Sequence, residues 1–310
     1  KHLLKSFVVL PSVLGHFYKI HQSQPEVAHL FWGHYPAMLG FLVKKFMPKT
    51  VLSQFLGAHD LVTNYPGSIS LAKVVDLIFT HTRSNLSDLA LKGIGSDRVN
   101  VVLRGTRLDL IHGSGTKKFD DLESPTFLTA ARLIEEKGTD DVLRIFSSVL
   151  KYYPKATLTI AGDGPFKPQL KTLAEELGCE KSVFFLGHIN QSELIKRMSN
   201  THFFILMSRY PSERLPNVVK EAMYQHCVVL TTDTEGIDEL IEFGVSGFVI
   251  DKGDDVSGVK CVLSCLKDPK AMTSVADTAK LVIIQRFDVD KSMQKYTQLW
   301  TLSAKEKNFL

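Results

Sequence analysis

At 310 residues, 44% hydrophobic and 23% charged, the chain has the length of two globular domains of roughly 100–200 residues each and the composition of a folded soluble protein, which excludes a disordered chain. No stretch offers the roughly 20 consecutive apolar residues that a bilayer-spanning helix needs. The net charge of +4 is unevenly spread: residues 1–120 carry 14 Lys and Arg against 7 Asp and Glu, and the remainder 23 against 26. A basic first half invites an anionic partner, whether a membrane surface, a phosphorylated acceptor or nucleic acid.

The opening KHLLKSFVVLPSVLGHF has a basic start and an apolar run but no small-residue cleavage site. It reads as fold rather than signal peptide, and a start at Lys1 instead of Met fits a longer natural chain. Short apolar runs then alternate with helix-period segments: AHLFW, MLGFLVKKF, TVLSQFL, SISLAKV, VDLIFTH, SNLSDLALKG and VNVVL. Four strands are expected here. HGSGTKKFDDLESP, rich in Gly, Ser and charge, reads as a linker near residues 112–125.

From Thr126 the alternation is more regular. The strands TFLTA, ATLTIAG, SVFFLG, HFFILMS, VVLTT and GFVID are apolar almost throughout, as in a parallel sheet buried on both faces. GTDDVLRIFSSVLKYY, KPQLKTLAEELG, QSELIKRMSN, LPNVVKEAMYQ, GIDELIEF and DVSGVKCVLSCL are the expected crossover helices. After Asp268 the chain reads as helical to its end, with Asp288 or Asp290 as cap of the last helix. The fold class is α/β, with doubly wound parallel sheets, so ligands are expected beyond the carboxyl ends of the strands.

Two loops carry the candidate chemistry. In SRYPSERLPNVVKEAM, Pro216 and Asn217 open a helix whose first N–H groups can receive phosphate or sugar oxygens. Glu213 and Glu221, eight residues apart, either line one cleft at different depths or are solvated surface acids. In TAARLIEEKGTDD, Arg132 and Lys137 either hold a diphosphate and stabilise a leaving group or form a surface ion-pair cluster with Glu135 and Glu136.

These strings together resemble the donor-site signature of GT-B retaining glycosyltransferases of family 4. SERLPNVVKEAM resembles the Glu-x7-Glu motif, ARLIEEKG the "GRL-x-x-x-KG" loop, IAGDGP the "GDGP" turn and FFLGHI the "FLG" strand end, while TEGIDELIEFGVSGFVI resembles the "GGI-E" loop and glycine return. The resemblance implies two Rossmann-like domains facing a cleft, with the N-terminal one shortened. Residues 1–115 would form the acceptor-side domain and 116–285 the nucleotide-sugar donor domain, with 286–310 a terminal helix packing back toward the first.

By the same resemblance, Glu213 binds donor sugar hydroxyls, Glu221 the nucleotide ribose, and Arg132 and Lys137 the diphosphate. Leu215, Pro216 and Asn217 line the donor site, and the backbone around Gly187 and His188 meets the base. On the acceptor side the candidates are His59, Arg104 and Gly105, from LSQFLGAHD and NVVLRGTRLD, which resemble "T-x-HG-x-D" and the segment ending in "NGVD". Arg214 stands where the family has Gly, so it reshapes the sugar pocket or adds a cation to it.

The resemblance implies a retaining transferase using a nucleoside diphosphate sugar and a saccharide or lipid-linked acceptor, with no metal or other cofactor. A nucleotide-sugar epimerase on the same architecture and a non-catalytic nucleotide-binding or assembly module stay open. Asp288-Val289-Asp290 precedes a terminal helix rather than ending a buried strand, so capping is preferred to metal binding. There is no Walker A sequence, no G-x-G-x-x-G and no nucleic-acid-binding motif. LVKKFMPK, with Phe41, Phe46 and Met47, is either a face for an anionic bilayer or an ordinary amphipathic helix. Four cysteines, none in a C-x-x-C pair, point to a reducing, cytoplasmic compartment, with peripheral membrane attachment as the variant.

Overall fold

The short apolar runs form two all-parallel sheets, one of four strands and one of six. The computed structural model describes residues 2–34, 36–63, 65–111, 119, 122–210 and 212–308. The chain divides into two compact units, the first made of residues up to Arg104 together with those from Asp290 on, the second of Gly105–Val289. Most of the linker expected near 112–125 lies outside the described residues.

In the first unit α1 (His2–Ser23) precedes β1 (Val27–Leu30), α2 (Pro36–Phe46), β2 (Val51–Phe55), α3 (Ala58–Thr63), α4 (Pro66–Ala72), β3 (Leu77–Thr80), α5 (Asn85–Leu91) and β4 (Val99–Val101). The strands lie in the order β1-β2-β3-β4. Every residue of β2 is buried, so the sheet needs cover on both faces. One face packs Leu30, Leu52 and Ile78 against Val43 of α2 and Leu71 of α4. The other packs Phe55 and Phe79 against Tyr296, Leu299 and Trp300 of a C-terminal helix, Val289–Asn308.

Polar contacts fix that C-terminal helix in register on the first sheet. Trp300 Nε1 donates to Ser53 Oγ at 2.9 Å, and the same hydroxyl lies 2.9 Å from His29 Nδ1. Burial pushes the His29 pKa down to about 4, so the ring is neutral at physiological pH. Asp76 is the strongest anchor: it meets Lys307 at 2.6 Å, Lys44 at 2.8 Å and the Leu52 N–H at 2.7 Å. Burial alone would raise the Asp76 pKa, but these three donors outweigh it and hold the carboxyl below its ordinary value.

In the second unit the elements are β5 (Thr126–Ala130), α6 (Thr139–Leu150), β6 (Thr157–Ala161), α7 (Lys167–Glu176), β7 (Val183–Gly187), α8 (Gln191–Met198), β8 (Phe203–Leu206), α9 (Asn217–Tyr224), β9 (Val228–Thr232), β10 (Phe248–Ile250), α10 (Asp255–Lys267) and α11 (Pro269–Arg286). The helix over Val289–Asn308 in the first unit is α12. The sheet order is β10-β9-β8-β5-β6-β7, so the winding reverses between β5 and β8. Phe127 of β5 stacks on Phe203 of β8 at 5.0 Å, and the core continues through Phe146 and Leu158. Among the described residues no helix is long and apolar enough to cross a membrane.

Two expectations are corrected. Residues 105–111 belong to the second unit rather than the first. Thr106 pairs with Asp288, Ile111 is buried, and the Ile111 carbonyl accepts from Gln225 of that unit. GIDELIEF is not a helix: only a 3-10 turn forms over Ile237–Glu239, between left-handed Gly236 at φ +81° and Gly244 at φ +74°.

Two stability measurements follow from these contacts. Asp76→Ala is expected to lower the unfolding free energy by about 3 kcal/mol at pH 7 in urea titration, because it strands two lysines and a backbone donor. A depressed folded-state pKa stabilises above the unfolded value, so this deficit should shrink as the pH falls below about 4. Asp255 is the opposite case: burial first, then Asp141 and Asp140 on the facing α6, push its pKa up to about 6 against the pull of Arg144. A raised acid destabilises the fold once it ionises, so stability is lost as pH rises through about 6. Asp255→Asn should therefore raise the Tm at pH 7.5, with the gain fading by pH 4.5; an equal change at both values would contradict this.

Candidate functional site

A parallel sheet opens a crevice beyond the carboxyl ends of the two strands between which its winding reverses. Here those strands are β5 and β8, which places the loops 131–138 and 207–216 side by side. Gly138 ends the first loop at φ +64°, and a Cβ there would collide with the Met207 carbonyl oxygen of the second. The Arg209 N–H donates to the Glu136 carbonyl at 2.7 Å. Its guanidinium reaches Asp140 at 2.8 Å, Asp141 at 2.6 Å and the Glu135 carbonyl at 3.3 Å. Burial alone would lower the Arg209 pKa, but the hydrogen bonds that it donates to Asp140 and Asp141 hold it above its usual value.

Within this frame Lys137 Nζ contacts Glu213 Oε2, and both side chains are largely buried. Ser208 Oγ donates to the same carboxylate oxygen at 2.9 Å. The Lys137 ammonium also lies 5.3 Å from the centroid of the Tyr210 ring. Lys137 is thus joined to Glu213, while Arg132, on the same loop, is exposed and makes no ion pair among the described residues. Nor do Glu135 and Glu136 bind either cation through their side chains, because the 3-10 turn over Glu135–Lys137 leaves both carboxylates exposed.

Leu215 is buried at φ +49°, a left-handed conformation rare for leucine, and turns the chain into α9. Pro216 sits one position before the helix, in extended conformation, and Asn217 is the first helical residue, exposed at its N-terminus. The buried Arg214 side chain contacts Glu235 in the loop after β9 and so ties these two loops together.

Glu221, in the second turn of α9, is buried and accepts from Gln191 Nε2 at 2.8 Å. Burial raises its pKa, partly offset by Gln191 and by the charge of Lys220. Gln191 begins α8, directly after the short loop with the exposed His188 that follows Gly187, the last residue of β7, at φ +71°. Glu221, Gly187 and His188 therefore lie on adjoining elements at the carboxyl ends of the strands.

The acceptor-side candidates have different settings. His59 is exposed on α3, its ring 5.3 Å from that of His34. The next residue, Asp60, is fully buried, accepts the Gly33 and Gly57 N–H groups at 3.0 Å each and lies 3.0 Å from His34 Nδ1. Arg104 is exposed at the end of the first unit. Gly105 belongs to the second unit and has a packing role, since a side chain there would run into the Val289 backbone.

Ser208, Arg209 and Gln191 belong to the site without a signal of their own in the sequence. The first two lie inside SRYPSERLPN, immediately after a strand, but nothing in their spacing announces partners in α6 or at Glu213.

The sequence model of the family described as Glycosyl transferases group 1 matches residues 116–282. An uncharacterized glycosyltransferase of Haemophilus influenzae is 28% identical over 184 residues, 59% of this chain and 50% of that protein, so the chain spans half the length of that relative. The amylovoran biosynthesis glycosyltransferase AmsK of Erwinia amylovora is 26% identical over 306 residues, 94% of this chain and 72% of that protein. Among solved structures, Anabaena Alr3699/HepE in complex with UDP superposes with a TM-score of 0.78 at 20% identity, over 94% of this chain and 82% of that one. The same Anabaena protein has been solved with UDP-glucose. The family match covers more than half of the chain and takes in both loops at the reversal between β5 and β8; the chain belongs to the group 1 glycosyl transferases.

Proposed function

We propose that the chain transfers a sugar, with retention at the anomeric carbon, from a nucleoside diphosphate sugar to a hydroxyl of a saccharide or lipid-linked acceptor. The observation that carries this reading is the meeting of Lys137 and Glu213 at the reversal of the second sheet, with a buried Glu221 in the helix that follows Glu213. The barrier to such a transfer is departure of the nucleoside diphosphate, with positive charge developing on the sugar. A preorganised ammonium in a largely buried site stabilises the leaving diphosphate, which is the role of Lys137. Arg132, exposed at the mouth of the same loop, adds a second cation when the diphosphate arrives. Glu213 exchanges its contact with Lys137 for the sugar hydroxyls, and Glu221 accepts from the ribose diol.

The UDP and UDP-glucose complexes of the Anabaena protein support a nucleotide-sugar donor, and the role of AmsK in amylovoran biosynthesis supports a glycan acceptor. On α2, Phe41, Lys45 and Phe46 are exposed, with the Lys45 ammonium 5.4 Å from the Phe46 ring centroid. This basic, aromatic face supports a cytoplasmic enzyme acting at the surface of an anionic membrane.

Calorimetric titration of UDP, GDP and ADP in metal-free buffer tests the donor site. One diphosphate should bind the wild type and lose at least about tenfold in affinity, roughly 1.4 kcal/mol, in Glu221→Ala. Absence of binding by all three, or equal binding by the variant, would remove the donor-site reading.

A further inference from the structure

We infer that Arg209 is the positioning residue of the site: it clamps the loop after β8 to the first turn of α6, and so holds Glu213 opposite Lys137 whether or not the two touch. The inference rests on the proposed roles of Lys137 and Glu213. Those roles create the need for a clamp. The direct Lys137–Glu213 contact joins the two loops, yet a bound donor would claim the ammonium for its diphosphate and the carboxylate for its sugar. At that moment the direct tie weakens, and the loops keep their spacing only through contacts that the donor does not compete for.

Arg209 makes those contacts. Its guanidinium spans two carboxylates of α6 and the carbonyl of Glu135, two residues before Lys137, and its own N–H takes the carbonyl of Glu136. One side chain thereby fixes the turn that carries Lys137 and the start of the segment that carries Glu213. The planar fork matters: a lysine would keep the charge but could not satisfy the diverging acceptors at once. Arg144 lies in the same charged cluster, 3.7 Å from Asp140 and 3.9 Å from Asp255, but among the described residues it makes no ion pair with either loop. It provides a control for the charge balance of the cluster alone.

Arg209→Met would strip buried acids of their cation, so Arg209→Lys is the informative variant. Amide hydrogen exchange, read by mass spectrometry without any ligand, is compared in wild type, Arg209→Lys and Arg144→Gln. In Arg209→Lys, exchange over 131–138 and 207–210 should accelerate by at least about tenfold while the 188–191 loop stays within about twofold. Arg144→Gln should move none of them. Unchanged protection of both loops in Arg209→Lys, or equal acceleration in all three segments, would overturn the clamp.

Hydrolysis of UDP-glucose, GDP-glucose or ADP-glucose, whichever carries the diphosphate that binds the wild type, expressed per binding site from calorimetry, supplies the second readout, because a merely structural loss lowers the number of sites and not the turnover of each. Turnover per site should fall at least about tenfold in both Arg209→Lys and Lys137→Ala. Wild-type turnover in Arg209→Lys despite loosened loops would overturn the positioning role. Wild-type turnover in Lys137→Ala would instead sink the proposed role of Lys137, leaving the exchange data to decide the clamp.

Discussion

The contact between Gly138 and the Met207 carbonyl is the constraint on which the rest of the second unit's site depends. Two loops from strands at a winding reversal can approach this closely only if one of them offers backbone without a side chain. The consequence is that Lys137, next to that glycine, and Glu213, on the facing loop, are brought within contact although 76 residues separate them in the chain. Burial then gives this charge pair its weight, because a cation and a carboxylate shielded from water interact more strongly than the same groups on an exposed surface. Further ties extend outward from this point: Ser208 to Glu213, Arg214 to the loop after β9, and Gln191 to Glu221.

The first unit is organised by a different requirement. Its short sheet has apolar residues on both faces, and the face carrying Phe55 and Phe79 is covered by α12, from the far end of the chain. Ser53 is a polar residue in that covered strand, and its hydroxyl is satisfied by Trp300 and His29. Asp76 binds the last turns of α12 and the middle of the sheet to one carboxylate. The same unit holds a fully buried acid, Asp60, which organises the glycine-containing loops after β1 and β2 through their N–H groups.

Most of this architecture was legible in the sequence because strands buried on both faces announce themselves as apolar runs. TFLTA corresponds residue for residue to β5, and VVLTT to β9. GIDELIEF misled because its apolar spacing suits a helix, while the flanking glycines take left-handed conformations that stop one after a single turn. The partner of Lys137 is not legible from its neighbours for another reason: closeness in sequence says nothing about contacts across a crevice, and Glu213 lies on another loop. Arg209 escaped notice on the same ground. His226, just after α9, adopts φ +63°, which its place in the sequence does not announce, and its ring lies 2.7 Å from Asp277.

The central claim is that Lys137 and Glu213 act as one unit across the two loops. A double-mutant cycle on turnover, with Lys137→Ala, Glu213→Ala and the double variant assayed at saturating donor, tests it most directly. Residues that act together lose their effect together, so the double variant should be about as slow as the slower single variant. Losses that multiply across the two sites would show that Lys137 and Glu213 work independently, and would contradict the account.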